Sequence, residues 1–171
     1  MAEIKDPENA ILMETTKGKV VIELFPDLAP GHVARIKELT REGAYDGVVF
    51  HRVIDGFMAQ TGDVRYGKSD SASFNASRAG MGGSDKPDLK AEFSNMNHGR
   101  GTCSMARAQN PNSANSQFFI CFEDASFLNR QYTVWGQVIE GMENVDKIKR
   151  GEPVADPDKI VSMKIAADVS A

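Results

Sequence analysis

The chain has 171 residues, of which 41% are hydrophobic and 26% are charged, a balance typical of one soluble domain spanning residues 1–171. The net charge of −4 and the pI of about 5.4 give no attraction to phosphate backbones or anionic lipid, so neither nucleic acid nor a membrane is expected as a partner. The N-terminus lacks a secretory pattern, and no apolar run reaches the roughly 20 residues of a spanning helix, so we expect a cytoplasmic location.

The first predicted elements are a hairpin and a helix. Residues 11–15 and 20–24 are rich in β-favouring side chains, and Lys17-Gly18 between them suits a tight turn because glycine adopts positive φ. Residues 30–43 place apolar side chains at helical spacing between a proline and a glycine, which predicts an amphipathic helix.

Two further strands precede a long irregular stretch. Residues 48–54 and 57–60 have strand composition and are separated by Asp55-Gly56, which favours a turn. Residues 62–101 then lose all periodicity and are rich in glycine, serine and aspartate. Connections longer than about 12–15 residues in compact domains are usually functional or disordered, so this stretch is either the rim of a site or a mobile flap.

The last third of the chain returns to strand-like patterns. Residues 102–106, 117–122 and 133–138 are strand candidates, residues 142–148 have helical spacing, and residues 159–166 form a closing strand. Many short strands with two isolated helices and no alternation of strand and helix predict a mainly β protein, either an antiparallel barrel or a sandwich.

Several kinds of chemistry are excluded by spacing. His32, His51 and His98 are far apart in sequence, and Cys103 and Cys121 form no C-x-x-C pair, so no metal site is predicted. The two cysteines lie in apolar segments and are expected to be buried, reduced thiols. No nucleotide-binding or hydrolase motif is present, so no cofactor is expected.

Aromatic, methionine, arginine and glutamine residues are concentrated in three separated segments. Strand residues such as Phe57, Met58, Phe118 and Phe119 are ordinary core residues by default. Arg52 is harder to explain, because an arginine in an apolar strand must reach solvent or find partners for its five donors. Solvation is the simpler interpretation.

Two glutamines offer an alternative for that arginine. Gln60 and Gln117 also lie in predicted strands and are able to orient the Arg52 guanidinium beside an apolar pocket. From the residues alone, the prediction is an apolar pocket with a polar tip and an unassigned use.

These segments resemble the cyclophilin family. Residues 50–63 read Phe-His-Arg-Val-Ile-Asp-Gly-Phe-Met-Ala-Gln-Thr-Gly-Asp, which closely resembles the family signature. Residues 101–106, Gly-Thr-Cys-Ser-Met-Ala, and residues 115–120, Asn-Ser-Gln-Phe-Phe-Ile, resemble two further family blocks in the correct order. The resemblance covers nearly the whole chain except its first residues and the loop at 66–90.

The resemblance implies a closed eight-stranded antiparallel barrel capped by two α-helices, with a proline-binding groove on its outer face. It also implies a peptidyl-prolyl cis-trans isomerase without a cofactor, in which Arg52 is catalytic and Gln60 orients it. The other positions that match the family's substrate groove are Phe57, Met58, Ala106, Arg107, Gln117, Phe119, Phe127, Leu128 and Tyr132.

Three groove positions carry further expectations. Phe127 stands where many members have tryptophan and Tyr132 where many have histidine. Phenylalanine has no N–H donor, so binding of the macrocycle cyclosporin is possible but weakened. Arg107 replaces a residue that acts in the family chiefly through its backbone, so its side chain is expected to be free to add charge at the rim.

The implied partners are proline-containing peptides and unfolded or folding proteins, with a monomer as the default state. The alternative is a proline-peptide binding module or chaperone with weak or no isomerase activity, which Phe127 and Tyr132 favour and which Arg52 and Gln60 disfavour. A structural barrel without a peptide site would leave the three motif blocks unexplained.

Overall fold

The structure is a computed structural model that describes residues 4–169. Its strands are β1 (Ala10–Thr15), β2 (Gly18–Leu24), β3 (Arg52–Ile54), β4 (Met58–Thr61), β5 (Thr102–Met105), β6 (Phe118–Cys121), β7 (Val134–Glu140) and β8 (Ile160–Ile165). Its α-helices are α1 (Pro30–Arg41) and α2 (Met142–Val145), and short 3-10 turns cover Pro7–Asn9, Ser126–Leu128 and Ala166–Asp168. Within the described range, no helix is long and apolar enough to cross a membrane.

All eight strands form one antiparallel sheet in the order β3-β4-β6-β5-β7-β2-β1-β8. The sheet curls into a half-barrel, and β3 and β8 are its two edges. The expectation of a closed barrel is therefore wrong, although that of a mainly β fold with two α-helices is confirmed.

The barrel stays open because the backbone N–H groups of the segment before β3 donate to carbonyls in two different parts of the chain. The Val49 N–H donates to the Gly67 carbonyl at 2.8 Å, whereas the Phe50 N–H donates to the Asp158 carbonyl at 2.8 Å. Only isolated bridges such as Val49–Lys159 result. The strand expected over residues 48–54 consequently shortens to Arg52–Ile54.

The predicted hairpin and first helix are confirmed. Strands β1 and β2 pair from Ala10–Glu23 to Thr15–Gly18, and a side chain at Gly18 would collide with that of Asn144 at 2.7 Å. Helix α1 buries its apolar stripe against β8.

Helix α2 is shorter than expected over residues 142–148. The Lys147 and Ile148 N–H groups donate to the carbonyls of Asn144 and Val145. Each of these bonds spans three residues, so the α-helical pattern gives way to hydrogen-bonded turns after Val145.

Alternation along β4 and β6 divides the apolar residues between two faces. Phe118 and Ile120 point into a large inner core, which also contains Trp135 and Tyr45. A smaller cluster lies on the opposite face, and we call it the outer patch; its members are Met58, Phe119, Cys121, Ala125 and Leu128, with Ile54, Phe57, Ala106 and Tyr132 packed against it.

The two cysteines are free and buried, as predicted. Cys103 belongs to the inner core and Cys121 to the outer patch. Burial raises the pKa of the Cys121 thiol to about 12, so it remains protonated at neutral pH.

Candidate active site

Strand register places the key polar residues beside the outer patch. Arg52 on β3 pairs with Gln60 on β4, which in turn pairs with Phe119 on β6. Residues opposite one another in an antiparallel pair share a face, so the three side chains form one row across the sheet.

This row borders an open groove of about 610 Å³. The predicted site residues that line it are Arg52, Phe57, Met58, Gln60, Ala106, Arg107, Phe119, Leu128 and Tyr132. Gln117 lines an adjoining polar cavity of about 380 Å³, which it shares with Gln60, Ala106 and Arg107. The structure thus brings ten of the eleven predicted residues together, the ten being the nine just named and Gln117.

The floor of the groove is apolar and firmly supported. Phe119 is 5% exposed, and its ring meets that of Tyr132 edge-on at 5.8 Å. His98 stacks behind Phe119 at 6.2 Å, and its ring nitrogens lie 3.0 Å from Asn129 Oδ1 and 2.8 Å from Ser104 Oγ. Hydrogen bonds therefore fix the ring that supports the floor.

A chain of side-chain hydrogen bonds leads to the arginine. Arg52 Nη1 donates to Gln60 Oε1 at 3.3 Å, and Gln60 Nε2 donates to Gln117 Oε1 at 2.9 Å. Gln117 Nε2 then donates to the carbonyls of Gly80 and Gly82, each at 2.8 Å. The two glutamines connect the guanidinium to the long loop.

The loop is itself held by a buried carboxylate, Asp63. One oxygen of Asp63 accepts the N–H groups of Arg65 and Tyr66 at 3.0 and 2.9 Å, and the other accepts those of Gly80 and Gly82 at 2.7 and 2.9 Å. A side chain at Gly82 would approach Asp63 to 2.5 Å, which explains the glycine. Of the two possibilities for residues 62–101, the structure matches the rim of a site.

Several groove residues were not predicted from the sequence. They are His51, Ala76, Ser77, Ala79, Gly80, Met81, Glu152 and Pro153. Met81 is 79% exposed and lies between glycines, a pattern that marks it as a loop-tip residue. Glu152 forms an ion pair with Arg52, its Oε1 lying 3.5 Å from Nε. No sequence pattern signals that contact, because it joins positions 100 residues apart.

His51 is buried beside the groove and is 7% exposed. Neither of its ring nitrogens has a hydrogen-bond partner among residues 4–169. Burial lowers the pKa of His51 to about 4, because desolvation outweighs the opposing effect of the Asp63 carboxylate. The imidazole is therefore neutral at physiological pH.

The Arg107 side chain is not free, contrary to expectation. Its guanidinium donates to the carbonyls of Gln131, Ala108 and Gln109 and lies 4.6 Å from the centre of the Tyr132 ring. The sequence did not reveal that backbone carbonyls of two nearby loops lie within hydrogen-bond reach of this side chain. The guanidinium therefore links the loop at residues 108–109 to the loop at residues 131–132.

Phe127 is the one predicted residue that lines neither cavity. Its side chain is 66% exposed and its ring lies 5.5 Å from that of Phe57. It extends the apolar surface beyond the groove and presents no polar atom there.

The comparisons with known proteins agree on one family. A family model described as cyclophilin type peptidyl-prolyl cis-trans isomerase/CLD matches residues 10–166. A probable peptidyl-prolyl cis-trans isomerase from Brucella suis is 59% identical over 172 residues, covering 98% of this chain and 87% of the relative. Peptidyl-prolyl cis-trans isomerase B from Escherichia coli is 38% identical over 148 residues, covering 81% and 83%.

Solved structures give the same result. Cyclophilin AquaCyp293 from Hirschia baltica superposes with a TM-score of 0.83 at 32% identity, covering 96% of this chain and 76% of the other. A cyclophilin type isomerase from Cryptosporidium parvum, solved in the presence of the dipeptide Ala-Pro, superposes with a TM-score of 0.77 at 26% identity, covering 91% and 98%.

Proposed function

The chain belongs to the cyclophilin-type peptidyl-prolyl cis-trans isomerase family and is itself such an isomerase, and on this premise we propose that the groove over the outer patch is its active site. The observation that carries the proposal is the position of Arg52. Its guanidinium stands at the edge of an apolar groove, oriented by Gln60.

The reaction requires only that a twisted amide be favoured over a planar one. Amide resonance sets a barrier of about 18–20 kcal/mol, and unassisted X-Pro isomerisation takes tens to hundreds of seconds. No covalent bond forms or breaks. In the twisted state the nitrogen lone pair leaves conjugation and becomes a better hydrogen-bond acceptor.

Arg52 supplies the donor for that lone pair. Its Nη1 is held by Gln60, and no residue in the described range 4–169 accepts a hydrogen bond from its Nη2. Nη2 therefore retains donors for the prolyl nitrogen and for proline's own carbonyl oxygen, which is not part of the rotating amide. A donor that is oriented before the substrate twists stabilises the transition state without reorganising during the reaction.

The apolar floor holds the proline ring while the preceding residue rotates. Met58, Phe119 and Leu128 form an apolar surface with few exposed atoms, which suits an apolar ring. Excluding water from this surface strengthens the hydrogen bonds of Arg52. The Ala-Pro dipeptide present with the Cryptosporidium relative supports a substrate of this kind.

We further propose that the natural substrates are X-Pro segments of unfolded or folding proteins, that the protein acts as a cytoplasmic monomer with residues 1–171 as one isomerase domain, and that it needs no cofactor. The alternative of a binding module with weak or no activity is disfavoured by the family and by the names of the relatives.

The test is a proline-peptide isomerisation assay on the intact chain and on Arg52→Ala. We expect kcat/KM to fall by about 100-fold, because an oriented donor to the transition state is lost. Arg41→Ala is the matched control, since both arginine side chains are 41% exposed and both form ion pairs, but Arg41 lies on α1 away from the groove. An unchanged rate in Arg52→Ala would show that the mechanism is wrong.

A further inference from the structure

Arg52 has a second polar contact that the mechanism above does not use. The one hydrogen bond that its side chain makes within residues 4–169, to Gln60, is long at 3.3 Å, and 41% of the side chain is exposed. A half-exposed arginine held at one nitrogen keeps much of its rotamer freedom. At a second nitrogen of the guanidinium, Nε, the Glu152 carboxylate lies at 3.5 Å.

We propose that Glu152 is a positioning residue for Arg52, restraining the guanidinium at Nε while Gln60 restrains it at Nη1. This inference rests on the proposed function of Arg52. Gln60 accepts a hydrogen bond at Nη1 and the Glu152 carboxylate attracts the guanidinium at Nε, so the two contacts together restrict the orientations that the side chain samples. Nη2 is the nitrogen left to face the substrate.

The backbone that carries Glu152 is attached to the strand that carries Arg52. Gly151 and Val53 exchange two backbone hydrogen bonds, each at 2.8 Å, and the Val154 N–H donates to the His51 carbonyl at 3.2 Å. These contacts flank Arg52 on one segment and Glu152 on the other. The backbone of Glu152 is therefore held beside Arg52 by main-chain pairing.

A close turn makes this pairing possible. A side chain at Gly151 would lie 2.7 Å from the Val154 Cα and 2.8 Å from the Pro153 carbonyl oxygen. Val154 is buried, which anchors the far end of the turn in the inner core. Glu152 and Pro153 are thus presented at the groove from a fixed base.

The carboxylate also has an electrostatic cost, because it reduces the positive potential of Arg52. For a pair exposed as this one is, with side chains 41% and 58% accessible, water screens most of that effect. Restricting the orientation of the donor is then the larger contribution to catalysis. The net effect of Glu152 on the rate is favourable.

The experiment measures kcat and KM of Glu152→Ala and Glu152→Gln with an uncharged proline peptide. We expect kcat to fall about fivefold in Glu152→Ala, equivalent to about 1 kcal/mol, with KM within about twofold of wild type. Glu152→Gln keeps an acceptor oxygen without the charge, so we expect a loss of about twofold. Asp55→Asn is the matched control: it removes another exposed carboxylate, paired with Arg150 at 3.1 Å, and should leave kcat unchanged.

Two readouts separate positioning from a general structural effect. The Nε–H signal of Arg52 in NMR relaxation should become more mobile in Glu152→Ala and stay unchanged in Asp55→Asn. In addition, raising the salt concentration to about 1 M, where the Debye length is about 3 Å, should lower the wild-type kcat toward that of Glu152→Ala.

The outcomes distinguish this inference from the function on which it rests. If Arg52→Ala keeps the wild-type rate, the proposed mechanism fails and the positioning role fails with it. If Arg52→Ala loses activity while both Glu152 variants keep or exceed the wild-type kcat and an ordered Arg52 signal, only the role of Glu152 is overturned.

Discussion

The two faces of strands β4 and β6 use similar residues for different purposes. Phe118 is 0% exposed and meets Tyr45 and Trp135 edge-on at 5.5 and 5.2 Å. Its neighbour Phe119 is 5% exposed and forms the floor of the groove. Burial hardly distinguishes the two rings. What differs is whether the protein itself fills the space in front of the ring, and the open space over Phe119 is what supports the proposal of an active site on the outer face.

The sharpest test of this comparison replaces each of the two phenylalanines with alanine, in two separate variants. Phe118→Ala should lower the free energy of unfolding by about 4 kcal/mol, because it leaves a cavity in a filled core. Phe119→Ala should lower it by only about 2 kcal/mol, since water can enter from the groove, but should raise KM about tenfold. Urea unfolding and the isomerisation assay measure both quantities. Equal stability losses with unchanged KM would abolish the distinction between the faces.

His51, buried beside the groove, provides a pH test. Its folded pKa of about 4 is below the value of 6.5 for a free imidazole, so the unfolded chain binds the proton first. The stability associated with His51 is therefore complete above pH 6.5 and is lost as the pH falls toward 4, by about 3 kcal/mol in total.

His51→Asn should flatten this dependence in urea unfolding measured at several pH values. Some slope should remain, because burial also lowers the pKa of His32 and of His98. The same slope in the variant and in wild type would contradict the assignment.

Gln117 tests the polar side of the outer face. Gln117→Leu removes the donor to Gly80 and Gly82 and the acceptor for Gln60. We expect kcat/KM to fall about tenfold with a small loss of stability, because the orientation of Arg52 weakens while the inner core is untouched. Gln137→Leu, on β7, makes the same chemical change away from both cavities and should preserve the rate.

The smallest expected effect concerns Phe127 at the margin of the outer face. Phe127→Trp adds one N–H donor to a side chain that is 66% exposed, so cyclosporin affinity should rise about fivefold, the equivalent of one hydrogen bond. Phe93→Trp changes another exposed phenylalanine and should leave the Kd unchanged. Equal Kd values for wild type and Phe127→Trp, measured by calorimetry, would refute the donor argument.

Local patterns in the sequence predicted most of the fold. The hairpin at Lys17-Gly18 and helix α1 follow from turn chemistry and helical spacing, which depend on neighbouring residues alone. Closure of the barrel was predicted wrongly because it depends on which distant carbonyl each N–H meets. The side chains of Val49 and Phe50 do not indicate that their N–H groups bond to the carbonyls of Gly67 and Asp158.

The site residues that lie within the family motifs could be predicted from the sequence. Arg52, Met58 and Gln60 lie within one signature, and strand pairing brings them together. The rim was not predictable, because Glu152 reaches Arg52 only through the pairing of Gly151 with Val53. Residues on loops are positioned by contacts between distant segments, and a single sequence does not reveal such contacts.

The four N–H groups gathered by Asp63 have a practical consequence. They fix the loop where it leaves the sheet and again at Gly80 and Gly82, while the Asn75 N–H closes the intervening chain onto the Tyr66 carbonyl at 2.9 Å. Loop-closure entropy grows slowly with length, by about 0.6 kcal/mol per doubling. A change of length between Tyr66 and Asn75 would thus add only a small closure cost and would leave in place the carboxylate that anchors the rim of the groove.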